Sequence, residues 1–228
     1  IQGESGTGKE VAARFLHENH PARRQGPLVS VHCGAIPDTL LESELFGHVR
    51  GAFTGSLESR AGFFQTASGG SLFLDEISET DISMQVKFLR VLQDGEVFMV
   101  GSRRPIKINV RIIAATNKDL PVLMRKGEFR EDLFYRINII QLSLPPLRDR
   151  KEDIPLLSHR FISRMNNIRG RAVTGIDKEA LGLLMSHDYP GNIRELENCI
   201  ERAMILSDTD EIRRENLPKK VLRGSATQ

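Results

Sequence analysis

The order of apolar and polar positions divides the chain into alternating units. Residues 9–19 (KEVAARFLHEN) place Val11, Ala12, Phe15 and Leu16 at helical spacing. PLVSVHC (27–33) is a short β-branched run and predicts a strand. IPDTLLESELFG (36–47) begins like a helix, with Asp38 as a candidate cap and Glu42 near its start. SLFLDE (71–76) is a strongly apolar strand ending in two acids. SMQVKFLRVLQDG (83–95) is an amphipathic helix closed by Gly95. Residues 96–108, with Gly101 between short apolar stretches, read as a hairpin or a long loop. NVRIIAATN (109–117) predicts another buried strand and NIIQLSL (138–144) a fifth. Strands alternating with helices imply a parallel sheet covered on both faces.

The pattern changes at LPPLRDRKEDIP (144–155), a proline-bearing, charged stretch that predicts a domain boundary. Beyond it only helical patterns follow: IPLLSHRFISRMNN (154–167), DKEALGLLMSHD (177–188), NIRELENCIERAMILS (192–207) and a short element within 213–222. The expected organisation is an α/β domain over 1–145, a small helical domain over 146–222 and a flexible linker over 223–228 (RGSATQ). Ile1-Gln2 leads at once into a glycine-rich turn that needs a strand before it, so the chain reads as a fragment of a longer protein.

Composition narrows the classes. With 228 residues, 39% hydrophobic and 27% charged, the chain can bury a sizeable core and is not a disordered segment. A net charge of +2 gives no bulk reason to expect nucleic-acid or membrane binding. Cys33 and Cys199 are far apart, which suggests a reducing compartment without a disulfide framework. No apolar run approaches the ~18 residues of a membrane span, and no signal peptide is visible; the expectation is a cytoplasmic chain. The histidines show no metal-ligand spacing with cysteines or acids; His17 and His20 could share a helix face, and the simpler reading is two solvated histidines.

Candidate chemistry gathers at five places. Gly3-x-x-x-x-Gly8-Lys9 matches a phosphate-binding loop up to its last position. Gly3, Glu4, Ser5, Gly6, Thr7 and Gly8 would turn backbone amides toward phosphate oxygens, with Lys9 reaching the terminal phosphates. Glu10 stands where a Ser or Thr usually contacts magnesium, and the motif alone is equally a glycine turn that starts a helix. Asp75 and Glu76 leave an apolar strand at its carboxyl end, where open α/β sheets bind ligands. Asp75 could hold Mg2+ through water and Glu76 could polarise an attacking water; two ordinary acids ending a strand are the alternative. TNKD (116–119) has the wrong spacing for a guanine-reading motif; Asn117 fits better beside a γ-phosphate, with a strand-end turn as the alternative. In GEFREDLFYRIN (127–138), Arg130 and Arg136 would point in different directions on one helix; the residues alone favour surface arginines paired with Glu128, Glu131 or Asp132. Arg194 opens a helix after Pro-Gly, poorly placed for the dipole, which suggests an anionic partner or a salt bridge with Glu197 or Asp188. GAFTGS (51–56) sets an apolar Phe53 and Thr54 between glycines, so the loop is either tucked into a core or meant to touch something.

GESGTGKE, ELFGHVRGAFTGS, GGSLFLDE, RIIAATN, FREDLFYR, LPPLRDRKEDI and YPGNIRELEN occur in this order. Together they resemble the central AAA+ ATPase domain of bacterial enhancer-binding proteins, the NtrC-like activators of sigma-54 RNA polymerase, over essentially the whole chain. The resemblance implies an AAA+ P-loop fold, α/β with a parallel sheet sandwiched by helices, plus a C-terminal helical lid. It implies ATP and Mg2+ as cofactors and a homo-oligomeric ring, most simply a hexamer, with DNA contacted only through a domain absent from this chain. Gly51, Ala52, Phe53, Thr54, Gly55 and Ser56 would form the loop that contacts sigma-54 RNA polymerase holoenzyme, assisted by 96–108. Glu76 would be the catalytic acid, Asp75 with Glu76 the magnesium residues and Asn117 the sensor in the sheet. Arg130 and Arg136 would be fingers supplied in trans, and Arg194 the lid sensor acting on its own subunit. Two positions depart from the family: Ser56 stands where Ala is usual, and His32 where an Asn hydrogen-bonds the catalytic acid. Imidazole can donate one such bond but with a different reach.

Overall fold

Consecutive side chains of a strand go to opposite faces, and the run SLFLD has both faces covered. In the computed structural model, which describes residues 1–169 and 172–223, Leu72 and Leu74 enter one apolar cluster while Phe73 enters another. The first cluster includes Val31, Leu41, Leu45, Phe64 and Phe88; the second joins Phe73 to Ala13, Ile113 and Ala115.

Two compact units emerge, one made of Ile1–Gly3 and Lys9–Ser143, the other of Glu4–Gly8 and the chain from Leu144 on. In the first, α1 (Lys9–Glu18) precedes β1 (Leu28–His32), α2 (Asp38–Phe46), the short antiparallel pair β2 (Gly47–His48) and β3 (Arg60–Ala61), and α3 (Phe63–Thr66). Then come β4 (Ser71–Asp75), α4 (Ile82–Asp94), the hairpin β5 (Glu96–Phe98) and β6 (Pro105–Lys107), β7 (Arg111–Ala114), α5 (Leu120–Arg125) and α6 (Glu131–Ile137). The sheet order is β1-β4-β7, all parallel, with Val31 opposite Leu74 and His32 opposite Asp75. Asp81 caps α4 by accepting from the Met84 amide at 2.7 Å, a contact of the kind worth ~1 kcal/mol.

Three expectations need correction. The fifth strand over 138–144 does not form a ladder: Gln2 alone bridges to Ser143 and, on its other side, to Thr116. A strand needs a row of partners, and here the neighbouring segment supplies a single pairing residue. The helix expected from 9–19 forms as α1, with Val11 and Phe15 exposed and Ala13 and His17 buried. α1 approaches the sheet through the small Ala13, and His17 satisfies its ring by a 2.9 Å bond between Nδ1 and Ser71 Oγ, so it is not a solvated histidine. In α2, Pro37 occupies the cap and Asp38 lies inside the helix.

The second unit contains α7 (Asp153–Arg169), α8 (Lys178–Ser186), α9 (Asn192–Leu206) and α10 (Lys219–Arg223), closed over Ile154, Leu184, Leu196, Ile200 and Ala203. It is not purely helical: β8 (Gly175–Ile176) pairs in parallel with β9 (Glu211–Ile212). Of the expected linker over 223–228, Arg223 ends α10 and residues 224–228 lie outside the described residues. Among the described residues no helix is long and apolar enough to cross a membrane. Both cysteines are buried free thiols.

Candidate functional site

The carboxyl edge of the β1-β4-β7 sheet is where acids collect. Glu76 follows β4 in the left-handed region (φ 56°, ψ 48°), a conformation uncommon for a residue with a side chain. Its amide donates to Asp75 Oδ1 at 3.1 Å, and its Oε2 lies 3.6 Å from His32 Nε2 on the neighbouring strand. Burial, and then the charge of Asp75, push the Cys33 thiol up to about 12. Gly3 donates to Thr116 O at 3.2 Å, which brings the first residue of the glycine-rich turn to the end of β7. Lys9 is buried, with Nζ donating to Gly3 O at 2.9 Å, while Glu10 and Asn117 are exposed. Thr116, just before Asn117, is held through a 2.9 Å bond from its Oγ1 to Ser78 Oγ.

Residues 4–8 belong to the second unit, and that unit's basic residues reach them. Arg148 makes a two-point contact with the Glu4 carboxylate, at 2.9 and 2.6 Å. This guanidinium, helped by the Asn192 amide, holds the Glu4 carboxyl down at about 2. Arg194 extends Nη1 to 3.5 Å from Ser5 Oγ. The acids suggested as its salt-bridge partners are engaged elsewhere: Glu197 with Arg164, Asp188 with Lys151.

The two arginines of 127–138 have separate ties. Arg130, at the N-cap of α6, grips Asp132 through Nε and Nη2 at 3.0 and 2.7 Å. That pairing raises the arginine's pKa and lowers the carboxylate's. Arg136, in the last turn, donates to Leu92 O at 2.9 and 3.3 Å. They therefore diverge, as their spacing requires, and both are accessible.

The 51–56 loop is neither core nor disordered coil. Gly51 donates to Ser56 O at 2.9 Å, closing the tip. Ser56 Oγ both accepts from Phe53 N at 3.1 Å and donates to Phe53 O at 2.8 Å. Phe53 remains 42% exposed, its ring edge-on to His48 with centroids 5.0 Å apart. Val49 donates to Val100 O, and Val100 to Gly47 O, so the 96–108 hairpin and the base of this loop are joined.

Residues 1–143 match the sigma-54 interaction domain family, and residues 148–228 match the AAA+ ATPase lid domain. The chain belongs to the sigma-54 interaction domain family. It is 56% identical over 207 residues to the DNA-binding transcriptional activator HyfR of Escherichia coli K12, covering 91% of this chain and 31% of HyfR. It is 50% identical over 221 residues to the regulatory protein AtoC of the same organism, covering 97% of this chain and 48% of AtoC. It thus spans less than half the length of these relatives. NtrX from Brucella abortus, solved in complex with ADP, superimposes with a TM-score of 0.89 at 36% identity, over 97% of this chain and 49% of that one. The fold is that of an AAA+ domain: a parallel sheet between helices, followed by a lid.

Within this sigma-54 interaction domain and its lid, the structure brings some expected residues together. Asp75, Glu76 and His32 share one sheet edge, and Ser5 meets Arg194. Arg130 and Arg136 are engaged away from that edge, with Asp132 and Leu92. Among the described residues no group of three or more His, Cys, Asp or Glu could hold a metal by itself. Asp75 and Glu76 do offer one or two carboxylates, the protein share magnesium takes when phosphates supply other oxygens. The sequence reading missed Arg148, Arg150 and Asn192, all of which touch residues 4–8. Their signal lies in LRDR after two prolines, which reads as a domain boundary, and in the Gly-Asn pair opening α9, which reads as a helix start.

Proposed function

We propose that this chain binds and hydrolyses ATP with Mg2+ as one subunit of a hexameric ring, and that the 51–56 loop couples hydrolysis to the remodelling of sigma-54 RNA polymerase holoenzyme. The support is strongest at the carboxyl edge of the sheet, where Lys9 is tied to Gly3 and Gly3 to Thr116 past β7, the strand beside the one that ends in Asp75, followed by Glu76. The amides of Gly3 to Gly8 and the Lys9 ammonium bind phosphate oxygens. Asp75 and Glu76 would hold magnesium, which would supply charge neutralisation on the phosphates. Glu76 takes the proton of the attacking water, and Asn117 reads the γ-phosphate. Arg130 and Arg136 leave their present partners to meet a neighbouring subunit's nucleotide, and Arg194 contacts the nucleotide of its own subunit. Phe53 and Thr54 meet sigma-54, with Gly51, Ala52, Gly55 and Ser56 shaping their loop.

The test is ATP turnover per subunit against protein concentration. Turnover should rise with concentration, because the arginines come from a neighbour. Glu76→Gln should lower it by about 10²–10⁴-fold while ATP still binds. One observation favours a second reading, an ATP-binding assembly module with impaired hydrolysis: His32 stands 3.6 Å from the Glu76 carboxylate. Negligible turnover at every concentration, despite measurable ATP binding, would support that reading. On the first reading His32 is a weaker stand-in for the usual Asn, so His32→Asn raises sigma-54-stimulated turnover or leaves it alone, and a complete loss would overturn that stand-in role.

A further inference from the structure

The phosphate loop is fastened by its carbonyls. Ser5 O accepts from Asn192 Nδ2 at 3.0 Å, Gly6 O from the Ile193 amide at 3.0 Å, and Thr7 O from Arg150 Nη2 at 3.0 Å. In a trans peptide the C=O and N–H groups point in opposite directions. Fixing these three carbonyls on one side therefore turns the amides of Gly6 and Gly8 to the other, while the Thr7 amide closes a turn onto Glu4 O at 3.4 Å. That is the arrangement an anion needs, and contacts within the protein hold it.

Asn192 is the centre of this grip. Its side chain is fully buried, and its backbone sits in the left-handed region at φ 52°. Besides Ser5 O, its Nδ2 donates to Glu4 Oε2 at 3.1 Å, while its Oδ1 accepts from the Leu147 amide at 2.8 Å. One side chain thus ties together the loop, the segment entering the helical unit and the start of α9. Asparagine suits the place twice over: it tolerates left-handed backbone better than most residues, and it offers a donor and an acceptor on one planar group.

We propose that Asn192 is a positioning residue for nucleotide binding, holding the 4–8 loop so that its amides are presented as a preformed phosphate cradle. The ordering of a glycine-rich loop is then complete before ATP arrives, and its entropy does not oppose binding. This inference rests on the proposed ATP-binding reading. It differs from a purely structural role in what it changes: nucleotide affinity rather than the rate at saturation.

Two variants test it in the 1–228 chain. Asn192→Asp keeps the acceptor for Leu147 N but replaces the donor with an oxygen facing Ser5 O and Glu4. Asn192→Gly keeps the backbone conformation and removes the side chain. ATP binding is measured by calorimetry, with thermal melting and turnover at saturating ATP as companions. Both variants should bind ATP at least tenfold more weakly, with kcat within about threefold of the parent, and the Gly6 to Gly8 amides should exchange hydrogen faster. Unchanged affinity in a folded Asn192→Asp overturns the positioning role while leaving the ATP reading intact. Failure of both variants to fold overturns it in favour of a structural role. Failure of the unmodified chain to bind ATP overturns the underlying reading, and this inference with it.

Discussion

The loops over residues 4–8 and 51–56 both depend on glycines at positive φ, yet their surroundings are opposite. A Cβ at Gly6 (φ +78°) would lie 2.4 Å from Gly191 O, whereas one at Gly55 (φ +101°) would meet nothing within 4 Å. The first loop is gripped by Arg148, Arg150, Asn192 and Ile193; the tip of the second closes on itself through Gly51, Phe53 and Ser56. One glycine is required by space and by backbone, the other by backbone alone. The proposed phosphate loop is held from outside. The proposed partner loop carries its own small hydrogen-bonded frame.

Substitution at these glycines breaks the comparison most directly. Gly6→Ala should cost at least 100-fold in ATP affinity, read by calorimetry, because backbone oxygen has to move to admit the methyl. Gly55→Ala adds strain of ~1–2 kcal/mol confined to the tip; ATP affinity should stay within about twofold while capture of sigma-54 falls about tenfold or more. Equal losses of ATP binding in both variants would erase the distinction between the loops. Ser56→Ala removes both hydroxyl contacts with Phe53, each worth ~1 kcal/mol. Exchange of the Phe53 amide should rise several-fold with no change at Gly6.

Acid sharpens the comparison from the other side. Glu4 titrates near 2 in the folded chain against an ordinary 4.5, chiefly through Arg148. A depressed carboxyl stabilises the fold above the ordinary value and loses that contribution as pH falls. The melting-temperature gap between the parent and Arg148→Met should therefore be constant above pH 4.5 and close toward pH 2. Added salt should narrow the gap, since the pair is exposed. The smallest effect is a silence: Cys33, pushed to about 12 by burial, should resist thiol reagents at neutral pH until the chain unfolds. Single cysteines placed at Phe53 or Ser5 can then be labelled against a quiet background, the former expected to react faster.

What could be read beforehand follows from range. β4 was legible because burial on both faces makes its apolar run continuous, and α4 because its stripe and closing Gly95 are local. α1 was legible as a helix but its buried side was not, since Ala13 carries little apolar weight although it packs with Phe73. The two-residue strands β8 and β9 are too short to leave a period. At the site, Asp75 and Glu76 announced themselves as acids ending a strand. The hold of Asn192 on Ser5, 187 positions away, could not be seen, because a polar contact between distant segments leaves no spacing in the chain. The local pairing of Arg130 with Asp132 was among those anticipated, whereas the tie of Arg136 to Leu92 O was not.

The alternation along β4 has a consequence for how this domain can change over generations. Leu72 and Leu74 fill one side of the sheet and Phe73 the other, so inserting or deleting a single residue would exchange the sides and expose the wrong set. Length changes in this strand are tolerated by parity, in twos, each moving the end by ~6–7 Å. Asp75 and Glu76 ride at that end, so no small step can carry them out of place. The strand works as a ruler with coarse divisions: a lineage that keeps its core intact either keeps its carboxylates where they are or moves them by a whole division.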